Sequence, residues 1–178
     1  LRPGSVHQDA FFAALPKILS HKPETRFICP NLGGSKQAKD WVARYGVQNE
    51  VFLLPKLPQA ELWGLFKKAE VFVSPSSHDG TPNTLLEAMA CGCFPVVGEI
   101  ASMLEWIEPR QNGLCVNPRD PRAIAEAIIE ALEKPQLRHS AAERNLTIIK
   151  ERATQAVNRP KIDAFYRQFL NPCPSVRS

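Results

Sequence analysis

Short apolar runs alternate along this chain with longer stretches of helical spacing, and few folds accommodate that rhythm. The runs fall at 26–29, 50–54, 70–74, 94–97 and 113–116. Stretches of helical character lie between and around them at 8–20, 35–46, 59–69, 82–91, 102–107 and 120–134. Strands this uniformly apolar are expected to be buried on both faces, which requires helices above and below a parallel sheet. The expected fold is therefore α/β, a doubly wound, Rossmann-like parallel sheet. In such sheets ligands sit beyond the carboxyl ends of the strands.

The core positions follow from the same spacing. Leu62, Leu65 and Phe66 form one stripe, flanked by Trp63, and Leu104 and Ile107 form another. Trp106 has no evident role. Asp120-Pro121 opens a helix with an N-cap followed by proline, and Ile124, Ala127, Ile128, Ala131 and Leu132 line its apolar face. Residues 152–170 end in a helix with a stripe of Ile162, Phe165, Tyr166 and Phe169. With 178 residues and 44% hydrophobic content, one domain with a sizeable core is expected over 1–170, and a tail over 171–178.

Residues 78–95 (H-D-G-T-P-N-T-L-L-E-A-M-A-C-G-C-F-P) carry the chemistry. Thr81 is a natural N-cap and Pro82 suits the first helical position. The N–H groups of Asn83, Thr84 and Leu85 would then face an anion at the positive end of the helix. Glu87, four residues after Asn83, looks the same way. Asp79 stands on the other side of the turn, so an anion cradle lies between two carboxylates that can accept hydroxyl groups. The structural alternative is a helix start with an acid before it and a buried Leu-Leu-x-x-Met-Ala face.

This segment resembles the donor-site signature of the retaining GT-B glycosyltransferases of the GT4 type, the glycosyl transferases group 1. Their pattern is Glu-Gly, a short turn, Leu-Glu-Ala-Met-Ala, then Gly and Pro-Val, with the two acids eight apart, as Asp79 and Glu87 are here. The resemblance implies a C-terminal, donor-binding lobe in which Glu87 holds the ribose hydroxyls of a nucleotide. Asp79 would contact the donor sugar in the catalytic position, and Gly80, Thr81, Pro82, Asn83, Thr84 and Leu85 would bind the sugar and its phosphates. Asp79 replaces the usual Glu and reaches on the order of 1.5 Å less far. Residues 57–76 and 112–120 also resemble the family, and the loop of Lys56 and Leu57 corresponds to the one that borders the base.

The front of the chain departs from the pattern. The family's opening strand is absent, Leu1-Arg2 replaces Gly-Arg, and His7 stands where a lysine would contact the diphosphate. Arg2 keeps its implied role. His7 is the weaker phosphate contact, because an imidazole carries only part of a charge near neutral pH. Ala101-Ser102 also replaces the Gly-Gly that precedes the later acid.

The implied substrate is a nucleotide-diphosphate sugar, UDP- or GDP-linked, with a hydroxyl acceptor in polysaccharide or glycolipid synthesis. No cofactor and no metal are expected. The chain is too short for both lobes of such an enzyme and begins at Leu1. It is therefore expected to be one half of a longer protein, partnered by an N-terminal acceptor-binding lobe and weakly active or inactive alone. The alternatives are a stand-alone or degenerate nucleotide-sugar-binding module acting through a partner chain. No G-x-G-x-x-G follows a strand, and Gly33-Gly34 does not supply one, so a nicotinamide dehydrogenase is set aside.

Cys29, Cys91, Cys93, Cys115 and Cys173 are odd in number and lie in apolar contexts, which suits buried thiols in a reducing cytoplasm. The net charge is +4, yet residues 137–178 hold eight Lys/Arg against three acids, so the basic excess is C-terminal. Such a flank would suit an anionic membrane surface carrying a lipid-linked acceptor, with peripheral attachment at the inner face; a solvated helix face is the alternative. Aromatic residues do not interleave with the basic ones in a stacking pattern, so nucleic acid is not an expected partner.

Overall fold

In the computed structural model, residues 7–78, 80 and 82–170 are described, the last two as backbone only. The element order is α1 (Gln8–His21), β1 (Phe27–Cys29), α2 (Lys36–Tyr45), β2 (Val51–Leu53), α3 (Gln59–Phe66), β3 (Val71–Ser74) and α4 (Asn83–Ala90). It continues with β4 (Phe94–Gly98), α5 (Ala101–Leu104), β5 (Leu114–Val116), α6 (Pro121–Glu133), α7 (Pro135–Arg152) and α8 (Gln155–Leu170). All strand pairings between these strands are parallel, as expected. Their hydrogen bonds form two ladders, β1-β2 and β3-β4-β5.

One hydrophobic core spans both ladders. Phe27, Cys29 and Val51 from the first meet Phe94, Val96, Leu114 and Val116 from the second, beneath Phe12, Leu15 and Ile18 of α1 and Ile124 and Ile128 of α6. Successive strand residues point to opposite faces. Phe72 and Val97 accordingly turn away from that core, toward Leu85 and Met89 of α4, Met103 of α5 and Ile149 of α7. The three-stranded ladder is thus covered on both sides. The two-stranded one is not: Ile28 and Phe52, paired in register, are 47% and 48% exposed on the face away from the shared core. There the expectation of burial on both faces fails, because uniform apolarity does not specify how far the covering helices extend.

The local start and stop signals act as their chemistry dictates. Ser35 Oγ accepts from the Ala38 N–H to open α2, and Gly46 closes it in the left-handed conformation at φ 65°. Asp120 caps α6 through the Arg122 N–H, with Pro121 in the first position. α7 was not anticipated as a helix of its own. Its buried side chains, Ala141, Asn145 and Ile149, lie at spacings of four on one narrow stripe. A small residue and a polar one in that stripe give almost no periodic hydrophobic signal.

α7 also accounts for part of the basic C-terminal flank. Arg138 pairs with Glu70 at 2.6 Å and donates to the carbonyls of Ala131 and Leu132 at the end of α6. Arg144 pairs with Glu108. The Arg152 guanidinium lies 4.5 Å from the centroid of Trp106, which gives that indole a packing role. On α8, by contrast, Ile162, Phe165 and Tyr166 are 52%, 56% and 61% exposed. No described helix is long and apolar enough to cross a membrane.

One carboxylate ties α6 to the turn before β5. Lys134 hydrogen-bonds Glu130 from one helical turn on, and Arg110 grips the same carboxylate at 2.7 Å, which lowers its pKa from the ordinary value of 4.5. The folded state therefore favours the ionised form. Its stabilisation is complete above the unfolded value and is lost as pH falls through the folded one. Glu130→Gln is expected to cost about 1 kcal/mol or less at pH 7, the partners being largely exposed, and progressively less as pH falls through the folded value. Urea unfolding at neutral pH and across the acid range checks this.

Candidate functional site

Of the residues singled out in the sequence, the described ones gather around the segments that leave the carboxyl ends of β2 and β3. Beyond Ser74 the chain turns through Pro75, the buried Ser76 and Ser77. α1 begins against this turn: the His7 N–H donates to the Pro75 carbonyl at 3.0 Å, and His7 Nε2 lies 2.8 Å from Ser77 Oγ. His7, near the start of the chain, is thereby brought beside the turn that leads to Asp79. Arg2, Asp79 and Thr81 lie outside the described residues. Gly80 is exposed, and a Cβ placed there would meet nothing within 4 Å.

α4 starts one residue later than expected. Pro82 is the N-cap, with ψ 63°, rather than the first helical residue, and its carbonyl is the first to accept a helical hydrogen bond, from Leu86 N–H at 3.1 Å. The N–H groups of Asn83, Thr84 and Leu85 consequently precede the helical ladder, as the anion-cradle reading requires. Leu85 is buried in the core while Asn83 and Thr84 are exposed, so the helix end is held firmly and faces solvent. Glu87 is half-buried, and its Oε1 accepts from Gln59 Nε2 at 2.7 Å.

Gln59 is the first residue of α3, directly after the loop that carries the exposed Lys56 and the half-buried Leu57. The stem of that loop is pinned by the turn after β1. Leu32 and Gly33 N–H donate to the Leu54 carbonyl at 3.0 and 2.8 Å, and Asn31 N–H to Pro55 at 3.1 Å. A Cβ on Gly33 would stand 2.9 Å from the Leu54 carbonyl carbon and the Pro55 nitrogen, so this approach needs glycine. Sequence reasoning missed the parts played by Gly33 and Gln59. The Asn-Leu-Gly-Gly run between a strand and a helix was the available signal for a close backbone approach; nothing marked Gln59.

Cys173 lies outside the described residues, and the four described thiols are not poised for chemistry. Burial pushes Cys29 and Cys115 up to about 11 and Cys93 to about 12, and desolvation also raises Cys91. Cys29 and Cys93 are buried, while Cys91 and Cys115 are only half-buried, short of the full burial expected. Among the described residues no group of three or more His, Cys, Asp or Glu is placed to hold a metal ion.

The strands pair in parallel, and the start of α4 carries three N–H groups ahead of its ladder, with the Glu87 carboxylate on the same helix. The sequence model of the glycosyl transferases group 1 matches residues 6–146, and the chain belongs to that family. A glycosyltransferase of Methanocaldococcus jannaschii is 31% identical over 119 residues, which are 67% of this chain and 30% of that protein. The fold is shared with Anabaena HepE in complex with UDP-glucose, at a TM-score of 0.81, 20% identity, and coverage of 94% of this chain and 46% of the other. It is shared too with the C-terminal domain of LpcC from Francisella tularensis, at a TM-score of 0.74, 19% identity, and coverage of 83% and 80%. The chain spans about a third of the length of the first curated relatives it matches.

Proposed function

We propose that this chain binds the donor of a retaining glycosyltransferase that moves a sugar from a nucleotide diphosphate, UDP or GDP, to a hydroxyl acceptor in polysaccharide or glycolipid synthesis. The observation that carries the proposal is the start of α4. Three backbone N–H groups precede its ladder, and Glu87 lies on the same helix beside the loop of Lys56 and Leu57. The solved relative HepE holds UDP-glucose.

In this reading the N–H groups of Asn83, Thr84 and Leu85, with the Gly80–Pro82 turn, neutralise the diphosphate at the positive end of the helix. The donor charge that develops as the glycosidic bond breaks is stabilised there without metal or cofactor. Glu87 accepts the ribose hydroxyls, Asp79 orients the sugar, Arg2 and His7 face the diphosphate, and the loop of Lys56 and Leu57 borders the base. The exposed stripe of α8 suits an acceptor-binding lobe packed against it. Work on a lipid-linked acceptor would place the protein at the cytoplasmic face of a membrane. Arg138, Arg144 and Arg152 bind within the fold, so only the rest of the basic flank would serve such a surface.

Calorimetric titration with UDP, GDP and ADP tests the reading. One diphosphate is expected to bind, and Glu87→Ala to weaken it about 100-fold, the loss of two charge-assisted hydrogen bonds. Unchanged affinity in Glu87→Ala would remove the donor-site assignment. Silence from all three diphosphates would favour a degenerate module that acts through protein contacts.

A further inference from the structure

We propose that Gln59 is a positioning residue for Glu87 and sets how strictly the site demands a ribose, a role that rests on the donor-site reading above. The two residues are 28 apart in sequence, on the first position of α3 and within α4, and only the fold brings them to 2.7 Å. Gln59 is exposed, so a neutral amide bond to a half-buried carboxylate contributes little to stability. Its consequence is orientation. A glutamate side chain has several rotatable bonds whose freedom must be given up when it binds a ligand, and a fixed partner removes that freedom beforehand.

The geometry leaves the carboxylate usable. A carboxylate offers about four lone-pair sites. Gln59 occupies one, on Oε1, which leaves Oε2 and the rest of Oε1 for a pair of neighbouring hydroxyls. Gln59 also closes a frame. The loop it follows is held at its stem by Asn31, Leu32 and Gly33 and at its far end by Glu87. The segment beside Lys56 and Leu57 and the hydroxyl-binding carboxylate are thereby set at a fixed separation, so a nucleoside must satisfy both together.

The test compares UDP and GDP with their 2′-deoxy forms by calorimetry, on the unsubstituted protein, Gln59→Leu, Gln59→Glu and Glu87→Ala. The unsubstituted protein is expected to prefer the ribonucleotide by about tenfold or more, and Gln59→Leu to hold that preference to about threefold while still binding. Gln59→Glu places two carboxyl groups at hydrogen-bond distance, which share a proton at low pH and repel once both are ionised. Its ribose preference should therefore return as pH falls and vanish as pH rises, a profile that a purely structural role would not produce. If Gln59→Leu keeps the full preference while Glu87→Ala loses it, the role of Gln59 is overturned and the donor site stands. If Glu87→Ala binds every diphosphate as before, or the unsubstituted protein binds none, the donor site fails and takes Gln59 with it.

Discussion

Replacing Gly98 by alanine is expected to destabilise the protein by about 3 kcal/mol or more and to abolish diphosphate binding. Gly98 is the last residue of β4 and is buried. A Cβ there would lie 2.0 Å from the Ser76 carbonyl oxygen and 3.0 Å from its carbonyl carbon. Both are backbone atoms, so no side-chain rotation relieves the contact. Either β4 shifts against β3, or the turn after β3 moves outward. That turn holds His7 on one side and runs into Asp79 and Gly80 on the other, so stability and binding should fall together. For a domain of this size the loss corresponds to about 6–12 °C in Tm. Thermal unfolding followed by circular dichroism, with UDP and GDP titrations on the same variant, measures both. An unchanged Tm would mean that the turn does not lie against β4.

Asn145→Leu is expected to cost about 2–4 kcal/mol through a different mechanism. Asn112 and Asn145 are both fully buried. Asn112 Nδ2 donates to Asn145 Oδ1 at 2.8 Å and to the Trp106 carbonyl at 2.9 Å, and Asn145 Nδ2 donates to the Asn112 carbonyl at 3.0 Å. The Glu108 N–H completes the node by donating to Asn112 Oδ1. Leucine keeps the branched side-chain shape but strips an acceptor from one Asn112 N–H and a donor from its carbonyl, deep in α7's contact with the turn before β5. Asn112→Ala should be costly as well, and the double variant less so than the sum, with a coupling of about 1 kcal/mol or more. Additive losses in chemical denaturation would show that the two asparagines act independently.

The resemblance in residues 112–120 thus acquires a physical reason at its first two positions. Asn112 joins α7 to the turn, and Gly113 passes so close to Pro95 that a Cβ would sit 2.8 Å from its ring. Neither contact was legible, because each depends on a partner far along the chain. Trp106 is the same case: its spacing suggested nothing, and its role is set by Arg152 at the far end of α7. α7 itself escaped notice because its buried stripe is filled by Ala141 and Asn145, residues that carry little or no hydrophobic signal.

The sequence by itself determined what local chemistry controls. Alternating apolar and helical segments imposed parallel strands with intervening helices, Ser35 and Asp120 opened their helices, and the run from Pro82 to Glu87 put unladdered amides and a carboxylate on one helix. These are properties of neighbours within a few residues, where backbone geometry leaves little choice. Tertiary structure alone decided that Gln59 holds Glu87, that Gly33 and Gly98 must lack side chains, that Asn112 and Asn145 satisfy each other, and that β1 and β2 keep one face open. Those outcomes rest on distances across tens of residues, and such distances exist only once the helices have packed on the sheet.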